Sequence, residues 1–279
     1  IELYHKTLEI NTYLKETSAE KQITYRWLSL QNKLISNVII SYLFIVGIYF
    51  LYPLYRGDAF PITPGLVPKV FNKIPWNILV FVYEFAICTL RLIVIMSCDI
   101  FLVIFMCQLC SELQIVGNAM IEIDVHDKRT IFRAIKKHKR VLDYGRVICD
   151  EFSPAIVMQH LGMSFAACFS AISVLYTKEQ MLLLKFISIG LIIIAEILLL
   201  CFVGETITGE SLKIADYLEN KFEVFLDDAT SLKTICFMLF RAQRPLSLRV
   251  GGNTIMNLNL FRLTMNKIFS CFVILKRAM

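Results

Sequence analysis

FMLFRAQRPLSLRVGGNTIMNLNLFRLTMNKIFSCFVILKRAM, residues 237–279, decides how the rest of the chain is read. Pro245 cannot continue a helix, and Gly251–Gly252 accept the backbone angles of a sharp redirection. The stretch therefore predicts a short helix, a break, and a final helix at membrane depth. That helix is polar along one side, through Asn253, Asn257, Asn259, Arg262, Asn266 and Ser270. Phe261, Leu263, Ile268, Phe269, Phe272 and Ile274 keep its other side apolar. Such a helix either packs inside a bundle or lines water.

Composition supports a membrane setting. Of 279 residues, 57% are hydrophobic and only 19% charged, and mean hydropathy is +0.62. A soluble domain carries roughly 25% charged residues. The apolar excess falls in blocks of bilayer length, so the expected fold is all-α, a polytopic helical membrane protein. The net charge of +6 comes without the long basic runs or aromatic–basic interleaving that would suggest nucleic acid. Basic residues here are read as setting topology.

The chain divides as follows. Residues 1–33 form an amphipathic approach region and 34–228 a transmembrane bundle; 229–250 hold an anchor helix and the break, and 251–279 the last span. The bundle's spans fall at about 34–55, 77–110, 155–176 and 181–204, and the last span at about 253–275, five in all. Residues 56–76, with Pro61, Pro64, Pro68 and Pro75, read as an extracellular loop. Residues 111–150 carry Lys128, Arg129, Arg133, Lys136, Lys137, Lys139, Arg140 and Arg146, which makes this loop cytoplasmic. The C-terminus is then extracellular. Asp227 and Asp228 are placed to cap the anchor helix.

Gly162, Ala166 and Ser170 lie four apart, a face that admits close helix approach. Cys107 and Cys110 are spaced as C-x-x-C, but inside an apolar helix they read as buried small side chains. Four scattered histidines give no metal spacing, and no nucleophile or phosphate-loop motif is present. No enzymatic activity, metal or cofactor is expected.

Charged residues inside apolar spans are costly in lipid and usually paired or functional. The second span holds Glu84, Arg91 and Asp99, seven and eight apart, and the fourth holds Glu196. Arg91 and Glu196 fall at matching depth and are expected to pair. In the last helix Arg262, Asn266, Ser270, Ile274 and Ala278 repeat every four residues as one stripe. Around an axis of several copies this stripe could line a pore, with Asn266 and Ser270 polar and Ile274 or Ala278 forming an apolar gate. A polar seam within one bundle is the other reading. Phe44, Ile48, Tyr52, Phe81, Tyr83, Ile87, Phe169, Ser173 and Tyr176 line the outer halves of the first three spans, apolar walls suited to a small volatile ligand.

RAQRPLSL followed by the paired glycines, Phe261, Ser270, Phe272 and Leu275 resembles the C-terminal signature of insect odorant receptors. Tyr83 and Asp99, the Phe152-Ser153-Pro154 run with Gln159 and Cys168, and Gly204-Glu205 with Ser211 and Ala215 extend the resemblance over nearly the whole chain. It implies a seven-helix, odorant-gated cation channel in the plasma membrane of olfactory sensory neurons. There the subunit assembles as a heterotetramer with the odorant receptor co-receptor (Orco), with a pore along the last helix and an odorant pocket in the outer half. The co-receptor's long insertion between the second and third spans is missing, so the chain resembles a ligand-tuning subunit. The T-Y-x-x-x-x-x-Q-F motif of gustatory receptors is missing from the last helix. A gustatory-type ligand-gated channel is one alternative. From another class, a transporter or a G-protein-coupled receptor is the other, but no inverted repeat supports a transporter and no D-R-Y or N-P-x-x-Y motif a G-protein-coupled receptor. Against the family's seven spans five are read here, so two helices are expected to precede residue 1. Arg262 and the lack of a tryptophan near Lys221–Phe222 depart from the family pattern.

Overall fold

A computed structural model of the chain describes residues 18–56, 76–123, 127–178, 180–225, 229–251 and 254–278. Six α-helices fill them: α1 Ser18–Arg56, α2 Trp76–Ile121, α3 Lys128–Tyr176, α4 Gln180–Lys221, α5 Ala229–Ala242 and α6 Leu258–Ala278. A 3-10 turn, Phe222–Phe225, follows α4, and one isolated bridge, Arg249 to Ile255, is the only β-pairing among the described residues. The protein is all-α.

The helices are longer than the spans read from hydropathy. At 39, 46, 49 and 42 residues, α1 to α4 each join an apolar span to an amphipathic extension without interruption. At about 1.5 Å per residue, even the shortest exceeds a hydrocarbon core of roughly 30 Å. The expected boundary between residues 33 and 34 lies inside α1, and within the 111–150 segment α2 continues to Ile121 and α3 begins at Lys128. Hydropathy marks only where the surroundings are apolar; helical hydrogen bonding continues past that point. Pro154, read as opening a span, stands within α3. Among the described residues, three helices are long and apolar enough to cross a membrane, in Phe85–Ile121, Lys128–Tyr176 and Phe186–Lys221.

Local chemistry sets the ends. The Asp127 carboxylate accepts from the Arg129 amide at 2.9 Å and caps α3. The Lys221 ammonium donates to the carbonyls of Ile121 and Ile123, neutralising the carbonyl end of α2. The proline-rich loop and the expected caps Asp227 and Asp228 lie outside the described residues.

Packing is uneven along the bundle. α1 lies on α2, α2 against α3 and α4, and α3 against α4, while α6 rests on α3 and α4. The buried core collects at one end, where Leu109, Leu113, Ile148, Ile207, Ile214 and Leu248 are sealed from solvent together with Ile235 of α5. Toward the other end Leu79, Tyr83, Leu90, Phe165, Phe169 and Leu191 are exposed. An apolar band this extensive is stable only where lipid or another subunit covers it. Of the small-residue face, Ser170 makes the close approach: its hydroxyl donates to the Phe186 carbonyl at 2.6 Å, and a Cβ on Gly190 would sit 2.9 Å from it. Gly162 faces open space.

Candidate functional site

The last helix and its approach are built from the break outward. After α5, the amide of Leu246 donates to the buried Ser211 hydroxyl at 3.1 Å, which ties the segment after Pro245 to α4. The chain then turns back on itself. Val250 N donates to the Thr254 carbonyl at 2.8 Å, and Met256 N to Leu248 at 2.9 Å. Gly251 holds a φ of +71°, the left-handed region that glycine occupies without strain. The Pro–Gly break is thus a pinned hairpin.

The hairpin aims α6. The Asn257 carboxamide accepts from Leu260 N at 2.8 Å, an N-cap, and the Glu205 carboxylate accepts from Leu258 N at 3.3 Å. The side chain just before α6 and one of α4 therefore satisfy the first free amides of α6, and Glu205 places negative charge at its positive end. Gly204, beside it, lets the Met256 backbone pack directly on α4. These roles of Gly204 and Glu205 were invisible to periodicity; the family resemblance marked the pair without giving it a role.

Along α6, Arg262, Asn266, Ser270 and Ile274 are exposed, so among the described residues one face of the helix is left open. The Ser270 hydroxyl donates to the Asn266 carbonyl at 2.8 Å, within its own helix. Arg262, the residue out of keeping with a cation pathway, turns back toward the start of α6 and donates to the Asn259 carboxamide at 3.0 Å. The Ala278 side chain lies outside the described residues. On the opposite face, buried Thr264 meets His160 Nε2 of α3 at 3.2 Å.

His160 has a neighbour that joins three more helices. Gln159 donates to the Asp99 carboxylate of α2, and the Tyr42 hydroxyl of α1 donates to the other carboxylate oxygen at 2.8 Å. Glu196 of α4 lies near the same Tyr42 hydroxyl. Asp99 was singled out as a costly charge; its partners, remote in sequence, were not foreseen. Arg91 belongs to the residues whose side chains are not described, so its expected pairing with Glu196 is carried forward only as a proposal.

The expected ligand residues are less gathered. Phe44, Tyr83, Ile87, Phe169 and Tyr176 are exposed, and the Ser173 hydroxyl donates to Phe169 in its own helix at 2.9 Å. Ile48, Tyr52 and Phe81 lie outside the described side chains. None of the three described cavities is lined by any of these residues. Cys107 and Cys110 are buried free thiols.

The model of the family described as 7tm odorant receptor matches residues 4–269. The chain belongs to that family. It is a receptor family, not an enzyme one, and its members are multi-pass membrane proteins. Odorant receptor 22c of Drosophila melanogaster is 22% identical over 129 residues, which are 46% of this chain and 32% of that protein. Odorant receptor 30a of the same fly is 38% identical over 64 residues, 23% of this chain and 16% of the other. The alignments thus span a third or less of the length of these relatives. Among solved structures, the insect olfactory receptor OR5 of Machilis hrabei superimposes with a TM-score of 0.84 at 18% identity. That match covers 98% of this chain and 74% of that receptor, which was determined in complex with eugenol. A second structure, of the same receptor, gives 0.84 at 19% identity over 99% and 75% of the two chains. This odorant receptor chain therefore has the insect receptor fold.

Proposed function

We propose that this odorant receptor chain is a ligand-tuning subunit that binds a small volatile odorant and gates a non-selective cation channel together with the co-receptor Orco. The supporting observation is the face of α6 running through Asn266, Ser270 and Ile274, which is exposed among the described residues. A helix this polar on an exposed face at membrane depth needs water or another subunit beside it. Several copies around an axis supply both. Ala278 extends the stripe, and Arg262, drawn back onto Asn259, leaves the pathway at its first turn.

The odorant site is placed in the outer halves of the first spans, among Phe44, Ile48, Tyr52, Phe81, Tyr83, Ile87, Phe169, Ser173 and Tyr176. In the assembly their exposed rings acquire cover from neighbouring chain. The Arg91–Glu196 pair belongs to the same proposal, as do the extracellular C-terminus, the cytoplasmic anchor at 229–250, and residence in the plasma membrane of olfactory sensory neurons. Phe237 and Phe240, exposed on α5, suit an anchor at which subunits meet.

Two measurements test the reading. Co-expression with the co-receptor should give odour-evoked, non-selective cation current, absent when either chain is expressed alone. Surface-expressed complexes that stay silent across a broad panel of volatiles would overturn it. Within that assay, Ile274→Ser should raise the current recorded without odorant by about threefold or more, because a polar side chain holds water where an apolar constriction expels it. Unchanged basal current would remove Ile274 as the gate.

A further inference from the structure

At the packed end of the bundle an open cleft of about 580 Å³ lies between α3, α5 and the hairpin. Four arginines line it: Arg146 from α3, Arg241 from α5, Arg244 just after it, and Arg249 in the hairpin. Asp150 is the one carboxylate of the lining, so four guanidiniums against it leave a net +3 at neutral pH. Among the described residues Arg241, Arg244 and Arg249 form no ion pair. Arg146 has only a distant one, 3.9 Å from half-exposed Asp143. Burial, and then the like charges of Arg146 and Arg244, hold the Arg241 guanidinium below its usual value.

The arginines are also held in place. Arg244 stacks on Phe240 with its guanidinium carbon 5.0 Å from the ring centre, which leaves the edge of the fork free. Arg241 Nη1 donates to the Arg244 carbonyl at 3.4 Å. The Arg249 carbonyl accepts from the Ser153 hydroxyl at 2.9 Å, fixing the hairpin where α3 passes into its apolar run. The cleft thus lies beside the start of the apolar run of α3. Guanidinium forks match phosphate oxygens two at a time, which an ammonium cannot do.

We propose that this cleft, formed by Arg146, Arg241, Arg244 and Arg249, is a binding site for a phosphate-bearing anion carrying more than one negative charge. The site is separate from the odorant pocket and the pore stripe, and it joins the anchor helix to α3 and to the hairpin that aims α6. Occupancy ties these three elements together. The ligand chemistry has two sources, a phosphorylated lipid headgroup or a soluble phosphate compound.

The full chain, purified into phosphatidylcholine nanodiscs, serves for the test, without dependence on channel activity. Its arms are phosphatidylinositol 4,5-bisphosphate in the disc, phosphatidylserine at matched charge, and inositol hexakisphosphate in solution, each read by native mass spectrometry. The phosphorylated lipid or the soluble phosphate should bind about tenfold tighter than phosphatidylserine, and the paired change Arg244→Gln and Arg249→Gln should remove that advantage. Binding in the disc alone assigns a lipid and competition by the soluble compound assigns a free ligand; either supports the site. Arg244→Lys, which keeps the charge and folds alike, should give a partial loss of about threefold. Lys136→Gln, exposed and outside the cleft, should leave binding within about twofold. Equal binding of phosphatidylserine and both phosphates, or no effect of the paired change in a chain that elutes as the wild type, overturns the proposal.

Discussion

Gly204→Ala is expected to lower the thermal stability of the receptor by about 2 kcal/mol, roughly 4–8 °C in apparent melting temperature. A Cβ on Gly204 would fall well inside van der Waals contact with the Met256 carbonyl oxygen and 3.1 Å from its carbon. The obstacle is backbone, which has no rotamer to change. Met256 is itself fixed, through the hydrogen bond its backbone N–H donates to the Leu248 carbonyl at 2.9 Å. Relief therefore requires α4 and the hairpin to separate, and separation pulls Glu205 away from Leu258 N. The gain in helix propensity from glycine to alanine, at most about 1 kcal/mol, works in the opposite direction and is outweighed. Gly209→Ala supplies the control: nothing lies within 4 Å of its Cβ, so only the propensity gain applies. Melting of both variants in detergent, followed by size-exclusion chromatography, checks the pair. Equal stability of Gly204→Ala and wild type would mean that the hairpin is not seated on α4 as described.

That contact also sets the direction of α6. Four constraints act within a short stretch: Ser211 on Leu246, Gly251 at the turn, Gly204 under Met256, and Glu205 with Asn257 at the first amides of the helix. None is a large interaction alone. Together they leave the last helix few ways to start, which is what a helix offering one face to other subunits requires.

Residues 237–279 alone announced the break and the polar stripe, because proline, glycine and a four-residue repeat are local signals. The apolar blocks announced the helical membrane class for the same reason. What stayed hidden depends on distance along the chain. Trp27 donates to Gln114 at 2.7 Å and Lys137 meets Glu20 at 2.6 Å, across 87 and 117 residues. Both bonds stitch the extension of α1 to its neighbours, and residues 18–33 of the approach region share one helix with the first span. Hydropathy could not report this, since the extension faces water on one side. Asp99 shows how far one residue type carries an argument. A carboxylate inside an apolar span predicts a partner, and the partner was there; its identity needed three helices folded together. The arginine cleft was hidden in the same way, with Arg146 counted as a topology signal far in sequence from Arg241, Arg244 and Arg249.

Asp99→Leu is expected to cost more than any other single change among the membrane side chains, about 2–4 kcal/mol. Leucine fills much of the space but strands the Tyr42 hydroxyl and the Gln159 amide, which both spend their protons on Asp99. Each unmet donor away from water costs about 1–3 kcal/mol. Asp99→Asn behaves differently. Its carbonyl oxygen still accepts one bond, and its amide can donate to the Tyr42 oxygen. Stability equal to or above wild type is the expected outcome. Tyr42→Phe, deleting one bond, should fall between, at about 1 kcal/mol. The order Asn, Tyr42→Phe, Leu in melting temperature separates hydrogen bonding from charge as the role of Asp99, for a charge role would make asparagine as damaging as leucine. The functional readout follows from sequence adjacency. Gln159 is held by Asp99, and the next residue, His160, contacts Thr264 on the buried side of α6. Loosening Gln159 should shift odorant sensitivity in Asp99→Leu channels that reach the surface, while Asp99→Asn channels respond as wild type. Identical dose–response curves for both variants would confine the network to holding the bundle together.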